Sequence, residues 1–171
     1  MNLFESLFIL FTSPEKKLGK ILKTKGFSVS SAESCTGGLV SSLLTDVSGS
    51  SEYTTENIVT YSNEAKKKYL QVKEQTLSSF GAVSSQTAAE MALGLKIQTG
   101  SDYTIATTGI AGPTGGSKEK PVGLMYIGLA DKNGSKIIKF QAPKFLPRTL
   151  IKKIFAKKAL TELYKFIEKG T

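Results

Sequence analysis

Ser34 and Cys35 place a hydroxyl and a thiol side by side in the segment Ala32-Glu33-Ser34-Cys35-Thr36-Gly37-Gly38. Apolar and polar residues alternate upstream of this segment, from Phe27 to Ser30, which is typical of a strand. Downstream, apolar residues recur at helical spacing: Leu39, Val40, Leu43, Leu44 and Val47. The pattern predicts a glycine-opened turn from strand to helix. We expect the unpartnered N–H groups at the start of that helix to bind an oxyanion or a phosphate.

Either of the two neighbouring residues is a candidate nucleophile. A thiolate at a helix N-terminus is the stronger nucleophile, because the pKa of a thiol is lowered there. Adjacent residues that leave a strand face opposite sides, however, so only one of the two side chains points at a ligand. The residue types alone leave the choice between Ser34 and Cys35 open.

The sequence contains no histidine and only one cysteine. The lack of histidine excludes Ser-His-Asp triads, Cys-His pairs and H-E-x-x-H zinc sites. A single cysteine excludes an internal disulfide framework and a Cys-rich structural zinc site, which fits a reducing compartment. A serine nucleophile therefore needs another base, and a lysine kept neutral by burial or by nearby positive charge can serve.

Three consecutive lysines are the candidates for that base. They follow a predicted strand over Asn57–Tyr61 and a helix start capped by Ser62. Lys66 and Lys68 lie at the flanks of the apolar stripe of this helix, whereas Lys67 points away from it. The spacing slightly favours Lys66 and does not decide between the two.

A second glycine-containing loop, Thr108 to Ser117, follows a predicted strand over Tyr103–Thr107. It has neither the Walker A spacing nor the Rossmann glycine spacing. In open α/β sheets, ligands bind beyond the carboxyl ends of the strands. The loop therefore either borders a ligand or is a long surface turn.

The length of 171 residues and the hydrophobic content of 40% predict one domain over residues 1–171. Further helices are predicted from Pro14 to Gly26, from Gln75 to Gly81 and after Ser84 or Ser85. Strands over Pro121–Leu129 and Lys136–Phe140 are joined by a predicted hairpin turn. This order predicts an α/β fold, a three-layer α/β/α domain with a mixed, mostly parallel sheet.

Residues 1–13 are predicted to form an N-terminal arm or helix. The apolar run from Met1 to Thr12 is interrupted by Glu5, has no basic region before it and no small-residue cleavage site after it. It is also too short to span a bilayer. We therefore expect it to pack on the domain or on a partner subunit, and we expect a cytoplasmic protein.

The net charge of +9 is concentrated near the C-terminus, where Ser135 to Thr171 carry nine lysines and one arginine, Arg148, against two glutamates. Such a surface suits nucleic acid or anionic small molecules. Most of these lysines lie on a predicted helix whose other face is apolar. A solvated helix face is the simpler explanation, so nucleic acid is not expected as the main partner.

Four motifs follow one another along the chain: Ala32-Glu33-Ser34-Cys35-Thr36-Gly37-Gly38, Val59-Thr60-Tyr61-Ser62-Asn63-Glu64-Ala65-Lys66, Gly81-Ala82-Val83-Ser84, and Thr108-Gly109-Ile110-Ala111-Gly112-Pro113 with Gly115-Gly116-Ser117 and Lys120-Pro121-Val122-Gly123. In these motifs and their order, the chain resembles the CinA C-terminal domain family from about Gly26 to Leu160. Members of this family include nicotinamide mononucleotide deamidases, which hydrolyse the carboxamide to nicotinate mononucleotide and ammonia without a metal.

The resemblance implies an amidohydrolase with a nucleotide substrate, no cofactor and no metal site. It also implies a homodimer or higher homo-oligomer without membrane partners, and a stand-alone form lacking the amino-terminal domain of longer CinA proteins. Ser34 falls on the nucleophile, Lys66 on its general base, Tyr61 on a site tyrosine that hydrogen-bonds within the pair, and Arg148 on a phosphate-binding position. The positions implied in oxyanion and substrate binding are Cys35, Thr36, Gly37, Gly38, Thr108, Gly109, Ile110, Ala111 and Gly112.

This assignment requires Lys66 to be neutral when it acts, through burial or through the charges of Lys67 and Lys68. The chain departs from the family pattern before the last helix, where Phe145-Leu146-Pro147-Arg148 replaces a Gly-x-Arg segment and Lys152 replaces an arginine. Two alternatives therefore remain: a non-catalytic module that binds a phosphate-bearing nucleotide, and a basic domain that interacts with nucleic acid or protein.

Overall fold

Five strands form one sheet in the computed structural model, which describes residues 3–170. They are β1 (Val29–Glu33), β2 (Thr54–Val59), β3 (Tyr103–Gly109), β4 (Leu124–Asp131) and β5 (Gly134–Gln141). The spatial order is β2-β1-β3-β4-β5. β1 pairs in parallel with β2 and β3, whereas β3–β4 and β4–β5 are antiparallel, so four of the five strands run in one direction. This arrangement confirms the predicted mixed sheet.

Helices cover both faces of the sheet. They are α1 (Leu3–Phe11), α2 (Pro14–Lys25), α3 (Leu39–Thr45), α4 (Asn63–Leu70), α5 (Glu74–Phe80), α6 (Ser85–Thr99) and α7 (Arg148–Gly170), with a 3₁₀ turn at Ser50–Glu52. One core lies between the sheet and helices α2, α3 and α7, and the other between the sheet and helices α4, α5 and α6. The prediction of three layers is therefore confirmed.

Capping residues fix the ends of several helices where the sequence predicted them. Gly26 ends α2 in the left-handed conformation at φ 64°. The hydroxyls of Ser62 and Ser84 accept hydrogen bonds from the N–H groups of Ala65 and Thr87, at the starts of α4 and α6. Ser13, directly before α2, makes no such side-chain bond.

The predicted strand ends were less accurate than the helix ends. β2 covers Thr54–Val59, where Asn57–Tyr61 was predicted. The Thr60 N–H still donates to the Glu33 carbonyl of β1 (2.8 Å), and the chain then turns to Ser62, the cap of α4. β4 begins three residues after Pro121, at Leu124, because Gly123 adopts a left-handed turn conformation at φ 89°. Apolar alternation indicates a strand but does not mark where its ladder begins.

The predicted N-terminal arm or helix is helical over Leu3–Phe11, and Met1 and Asn2 lie outside the described residues. Lys157 on α7 holds the end of α1 in place by donating to the carbonyls of Leu10 (2.7 Å) and Thr12 (2.5 Å). One face of α1 nevertheless leaves three phenylalanines exposed, Phe4, Phe8 and Phe11. Within residues 3–170, no helix combines the length and the apolar character that crossing a membrane requires.

Candidate active site

The carboxyl ends of the three parallel strands meet at one edge of the sheet, and Ser34 is the first residue after β1. Its backbone N–H donates to the carbonyl of Thr107 on β3 (3.0 Å), which ties the turn to the neighbouring strand. Its hydroxyl lies 3.0 Å from Lys66 Nζ, and the residue is only 9% exposed. The turn therefore presents Ser34 to α4 in a nearly closed environment.

Lys66 reaches Ser34 from the first turns of α4 and is 1% exposed. Besides contacting Ser34, its Nζ donates to the backbone carbonyls of Thr60 (2.8 Å) and Tyr61 (3.3 Å), which follow β2. The structure thus separates the lysines that the spacing left undecided. Lys67 pairs with Glu64 and Glu74, and Lys68 lies over the ring of Tyr69.

Burial lowers the pKa of Lys66 from 10.5 to about 8. Lys67 and Lys68, whose charges were considered as possible causes, do not contribute, since the shift comes from desolvation. A neutral amine has two N–H donors and one lone pair. Two backbone carbonyls can accept those donors, which leaves the lone pair for the hydroxyl of Ser34. This is the arrangement a general base needs.

Cys35 lies beside Ser34 but in a different environment. It is 6% exposed, and burial raises the pKa of its thiol to about 12, so the thiol stays protonated near neutral pH. A helix N-terminus was expected to favour a thiolate, but desolvation dominates here. Of the two neighbouring residues, Ser34 is therefore the better candidate nucleophile.

The start of α3 is occupied by a side chain of the protein itself. The buried carboxylate of Glu33 accepts hydrogen bonds from the N–H groups of Gly38, Val40 and Ser41 and from the hydroxyl of Ser41. The expectation of free N–H groups that bind a ligand anion is therefore wrong at this helix. Glu33 carries out the capping that these donors require.

Thr36, Gly37 and Gly38 belong to this turn and do not line the cavity beside Ser34. The hydroxyl of Thr36 lies 2.7 Å from that of Thr107, in the interior. Gly37 and Gly38 take positive φ angles of 60° and 96°, as the turn requires. These positive φ angles shape the turn that follows Ser34.

The second loop forms the opposite wall of a cavity of about 270 Å³. The residues lining it are Ser34, Cys35, Tyr61, Lys66, Ala82, Val83, Thr108, Gly109, Ile110, Ala111, Gly112, Thr114, Gly115 and Arg148. Two glycine-containing loops thus meet at one cavity, and the loop from Thr108 is not merely a surface turn.

Hydrogen bonds already made by this loop limit which of its groups can donate to a ligand. The Thr108 hydroxyl donates to the carbonyl of Ala82 (2.6 Å), and the Ile110 N–H donates to the carbonyl of Leu124 on β4 (2.8 Å). Successive N–H groups of a strand point to opposite sides, so the N–H of Gly109 points away from β4, towards the side of β1 and Ser34. Gly109 is therefore the loop residue best placed to donate to a ligand at Ser34.

Arg148, the first residue of α7, lies at the rim of the cavity. It donates to the carbonyl of Gly112 (2.7 Å) and to the hydroxyl of Tyr61 (3.1 Å). The expected bond from the Tyr61 phenol to the Ser34–Lys66 pair is therefore absent among the described contacts, and only the backbone carbonyl of Tyr61 contacts Lys66. Arg148 lines the cavity, and no carboxylate among residues 3–170 lines it, which suits an anionic ligand.

Sequence reasoning gave no role to four lining residues: Ala82, Val83, Thr114 and Gly115. Ala82 and Val83 lie in one of the quoted motifs, between α5 and α6, so the motif itself was the available signal. Thr114 and Gly115 lie in the second loop, where glycine content indicates irregular backbone but not which side chains face the ligand.

Comparison with known proteins gives one family throughout. Residues 11–167 match the family model described as the CinA C-terminal domain. CinA-like proteins of Chloroherpeton thalassium and Desulforapulum autotrophicum are 50% and 51% identical over 148 and 151 residues, or 85% and 88% of this chain. The chain spans about a third of the length of these relatives, 35% and 36%.

Solved structures share the whole fold. The competence/damage inducible protein CihA from Agrobacterium tumefaciens is 40% identical with a TM-score of 0.85, and the match covers 91% of this chain and 96% of that one. A CinA superfamily protein from Escherichia coli is 29% identical with a TM-score of 0.85, covering 90% of this chain and 88% of that one.

Proposed function

This chain belongs to the CinA C-terminal domain family, and from that premise we propose that it hydrolyses the carboxamide of nicotinamide mononucleotide to nicotinate mononucleotide and ammonia. The observation that carries the proposal is the contact of 3.0 Å between Ser34 Oγ and the buried amine of Lys66. A histidine-free chain has few other ways to activate a serine.

In the first half of the reaction, the Ser34 oxygen attacks the carboxamide carbon while neutral Lys66 takes the hydroxyl proton. The carbonyl oxygen gains the negative charge, and the N–H of Gly109 is our proposed donor to it. Removing one such donor typically costs about 3 kcal/mol of transition-state stabilisation. The Lys66 ammonium then returns its proton to the amide nitrogen, the C–N bond breaks, and ammonia leaves an ester on Ser34.

In the second half, Lys66 is neutral again and takes a proton from a water molecule that attacks the ester carbon. The bond to Ser34 breaks, the serine oxygen regains a proton from Lys66, and nicotinate mononucleotide is released. Arg148 is the proposed contact for the phosphate, because its planar guanidinium suits phosphate oxygens and it lies at the rim of the cavity.

The test is ammonia release from nicotinamide mononucleotide in the presence of a chelator, with the Ser34→Ala and Lys66→Ala variants measured alongside the parent. We expect turnover by the parent and a loss of about 10²-fold or more in each variant, since general-base catalysis contributes about 10²–10⁴-fold. The Lys67→Ala variant is the matched control and should keep the parent rate, because Lys67 pairs with surface carboxylates. A parent that binds the nucleotide without releasing ammonia would indicate a binding module instead.

A further inference from the structure

The carboxylate of Glu33 is fully buried directly before Ser34, although the reaction proposed above does not use it. Its Oε2 accepts from the N–H groups of Gly38 (2.9 Å) and Val40 (3.0 Å). Its Oε1 accepts from the N–H (2.8 Å) and the hydroxyl (2.5 Å) of Ser41. Four donors thus converge on one carboxylate across the turn that holds Ser34.

The backbone of Glu33 is as firmly held as its side chain. Glu33 is the last residue of β1 and lies in register with Val59 of β2 and Thr107 of β3. The backbone of Glu33 is therefore fixed by the sheet, and its side chain fixes the start of α3. Glu33 thus holds both ends of the turn from Ser34 to Gly38, the first end through its backbone and the second through its carboxylate.

We infer that Glu33 is a positioning residue, which holds the turn so that the Ser34 hydroxyl points at the Lys66 amine. The inference rests on the proposed function only in taking Ser34 as the nucleophile. Glu33 also fills the start of α3 with the chain's own negative charge, so the anionic part of a substrate is left to the rim near Arg148.

The amide of glutamine tests this role with little change in shape. A glutamine side chain has one acceptor oxygen and one NH₂ donor, so it can serve only part of the four donors and turns its own N–H groups towards the rest. In Glu33→Gln we therefore expect the turn to loosen and Ser34 to lose its alignment with Lys66, while the sheet is retained.

Ser34 reactivity is measured with an aryl sulfonyl fluoride, independently of any amide substrate. The serine oxygen attacks sulfur, the S–F bond breaks, fluoride leaves, and the serine proton goes to Lys66; mass spectrometry counts the sulfonylated Ser34. We expect labelling of Glu33→Gln to be at least tenfold slower than that of the parent at temperatures where both are folded by circular dichroism. The pH midpoint of labelling should stay near that of the parent, since burial of Lys66 is retained.

Two further variants complete the test. Glu52→Gln makes the same chemical change at an exposed surface glutamate paired with Lys23, and should label at the parent rate. Ser41→Ala removes one of the four contacts and should slow labelling only about two- to fivefold, because the three backbone N–H donors still hold the carboxylate of Glu33.

Labelling of Glu33→Gln within twofold of the parent would overturn the inference. If Glu33→Gln does not fold, Ser41→Ala decides: slower labelling supports a positioning role, and the parent rate means that Glu33 only supports the fold. A parent that is labelled but releases no ammonia would refute the proposed substrate and leave the test of Glu33 intact. A parent that is not labelled would refute both.

Discussion

At the scale of single residues, the chemistry depends on the pKa of Lys66, because only the neutral amine can take a proton from Ser34. The amine is buried against two backbone carbonyls and one hydroxyl, and no carboxylate pairs with it among the described contacts. Desolvation therefore favours its neutral form, and the pKa of about 8 follows from that burial. The same burial acts on Cys35 in the opposite sense, because the neutral form of a thiol is the protonated one.

Cys35 should accordingly be unreactive in the native protein. Burial raises the pKa of its thiol to about 12, so almost none of it is thiolate at pH 8. We expect iodoacetamide at pH 8 to leave native Cys35 unmodified and ammonia release unchanged, and to alkylate the residue only after unfolding. Mass spectrometry of native and denatured samples checks this. Rapid alkylation of native Cys35 would contradict a buried, protonated thiol.

Arg148 should affect substrate binding more than the chemical step. A hydrogen bond to a charged group contributes about 1.5–3 kcal/mol, which corresponds to roughly a 10- to 100-fold rise in KM for Arg148→Ala. Arg148→Lys keeps the charge but loses the planar guanidinium, so its KM should lie between that of the parent and that of Arg148→Ala.

Nicotinamide riboside, which lacks the phosphate, is the control for this prediction. Its KM should be nearly the same for the parent and for Arg148→Ala if the arginine binds phosphate. Equal changes for both substrates would mean that Arg148 acts through Tyr61 and Gly112, its partners in the structure.

At the scale of elements, the position of α4 decides whether Lys66 reaches Ser34. Gly94 on α6 lies against the end of α4, and a Cβ added there would be only 1.9 Å from the carbonyl oxygen of Leu70, one turn beyond Lys66. Glycine is needed at this position because the two helices approach so closely.

Gly94→Ala should therefore reduce activity although it lies outside the cavity. The helix-propensity gain of about 1 kcal/mol for alanine is smaller than the overpacking cost of about 1–3 kcal/mol. We expect a lower thermal midpoint and, because α4 must move, a loss approaching 10²-fold in ammonia release. The control is Ile97→Ala, on the exposed face of α6. This variant should change neither the thermal midpoint nor the rate of ammonia release. Full activity in Gly94→Ala would show that α4 can shift without moving Lys66.

The elements themselves could largely be predicted from the sequence, because caps and apolar spacing are local signals. Ser62, Ser84 and Gly26 define helix ends through bonds to residues a few positions away. Two features of the site could not be predicted, since they depend on contacts distant in sequence. The carboxylate of Glu33 takes the helix start that a ligand was expected to use, and Arg148 binds the Tyr61 phenol across 87 residues of chain.

At the scale of the whole molecule, one face of α1 exposes apolar side chains that packing within residues 3–170 does not explain. Phe4, Phe8 and Phe11 are 84%, 66% and 86% exposed on a helix that Lys157 holds against α7. Contiguous exposed apolar surface is typical of an interface between proteins. A homodimer or larger homo-oligomer that covers this face remains our proposal.

Light scattering checks this proposal directly. We expect the parent to have a mass of two or more chains, and the Phe8→Ser, Phe11→Ser double variant to have a smaller mass at the same concentration. The variant should stay folded, because both side chains are mostly exposed. A parent mass equal to one chain would refute the proposal.

The pH dependence of kcat/KM for ammonia release tests the central claim that buried, neutral Lys66 activates Ser34. The neutral fraction of Lys66 rises as pH increases through its pKa of about 8. The rate should therefore rise tenfold per pH unit well below 8 and level off above it, since kcat/KM reports the free enzyme. A rate independent of pH between about 6 and 9.5, or one still rising past pH 10 as for an unperturbed lysine, would contradict it.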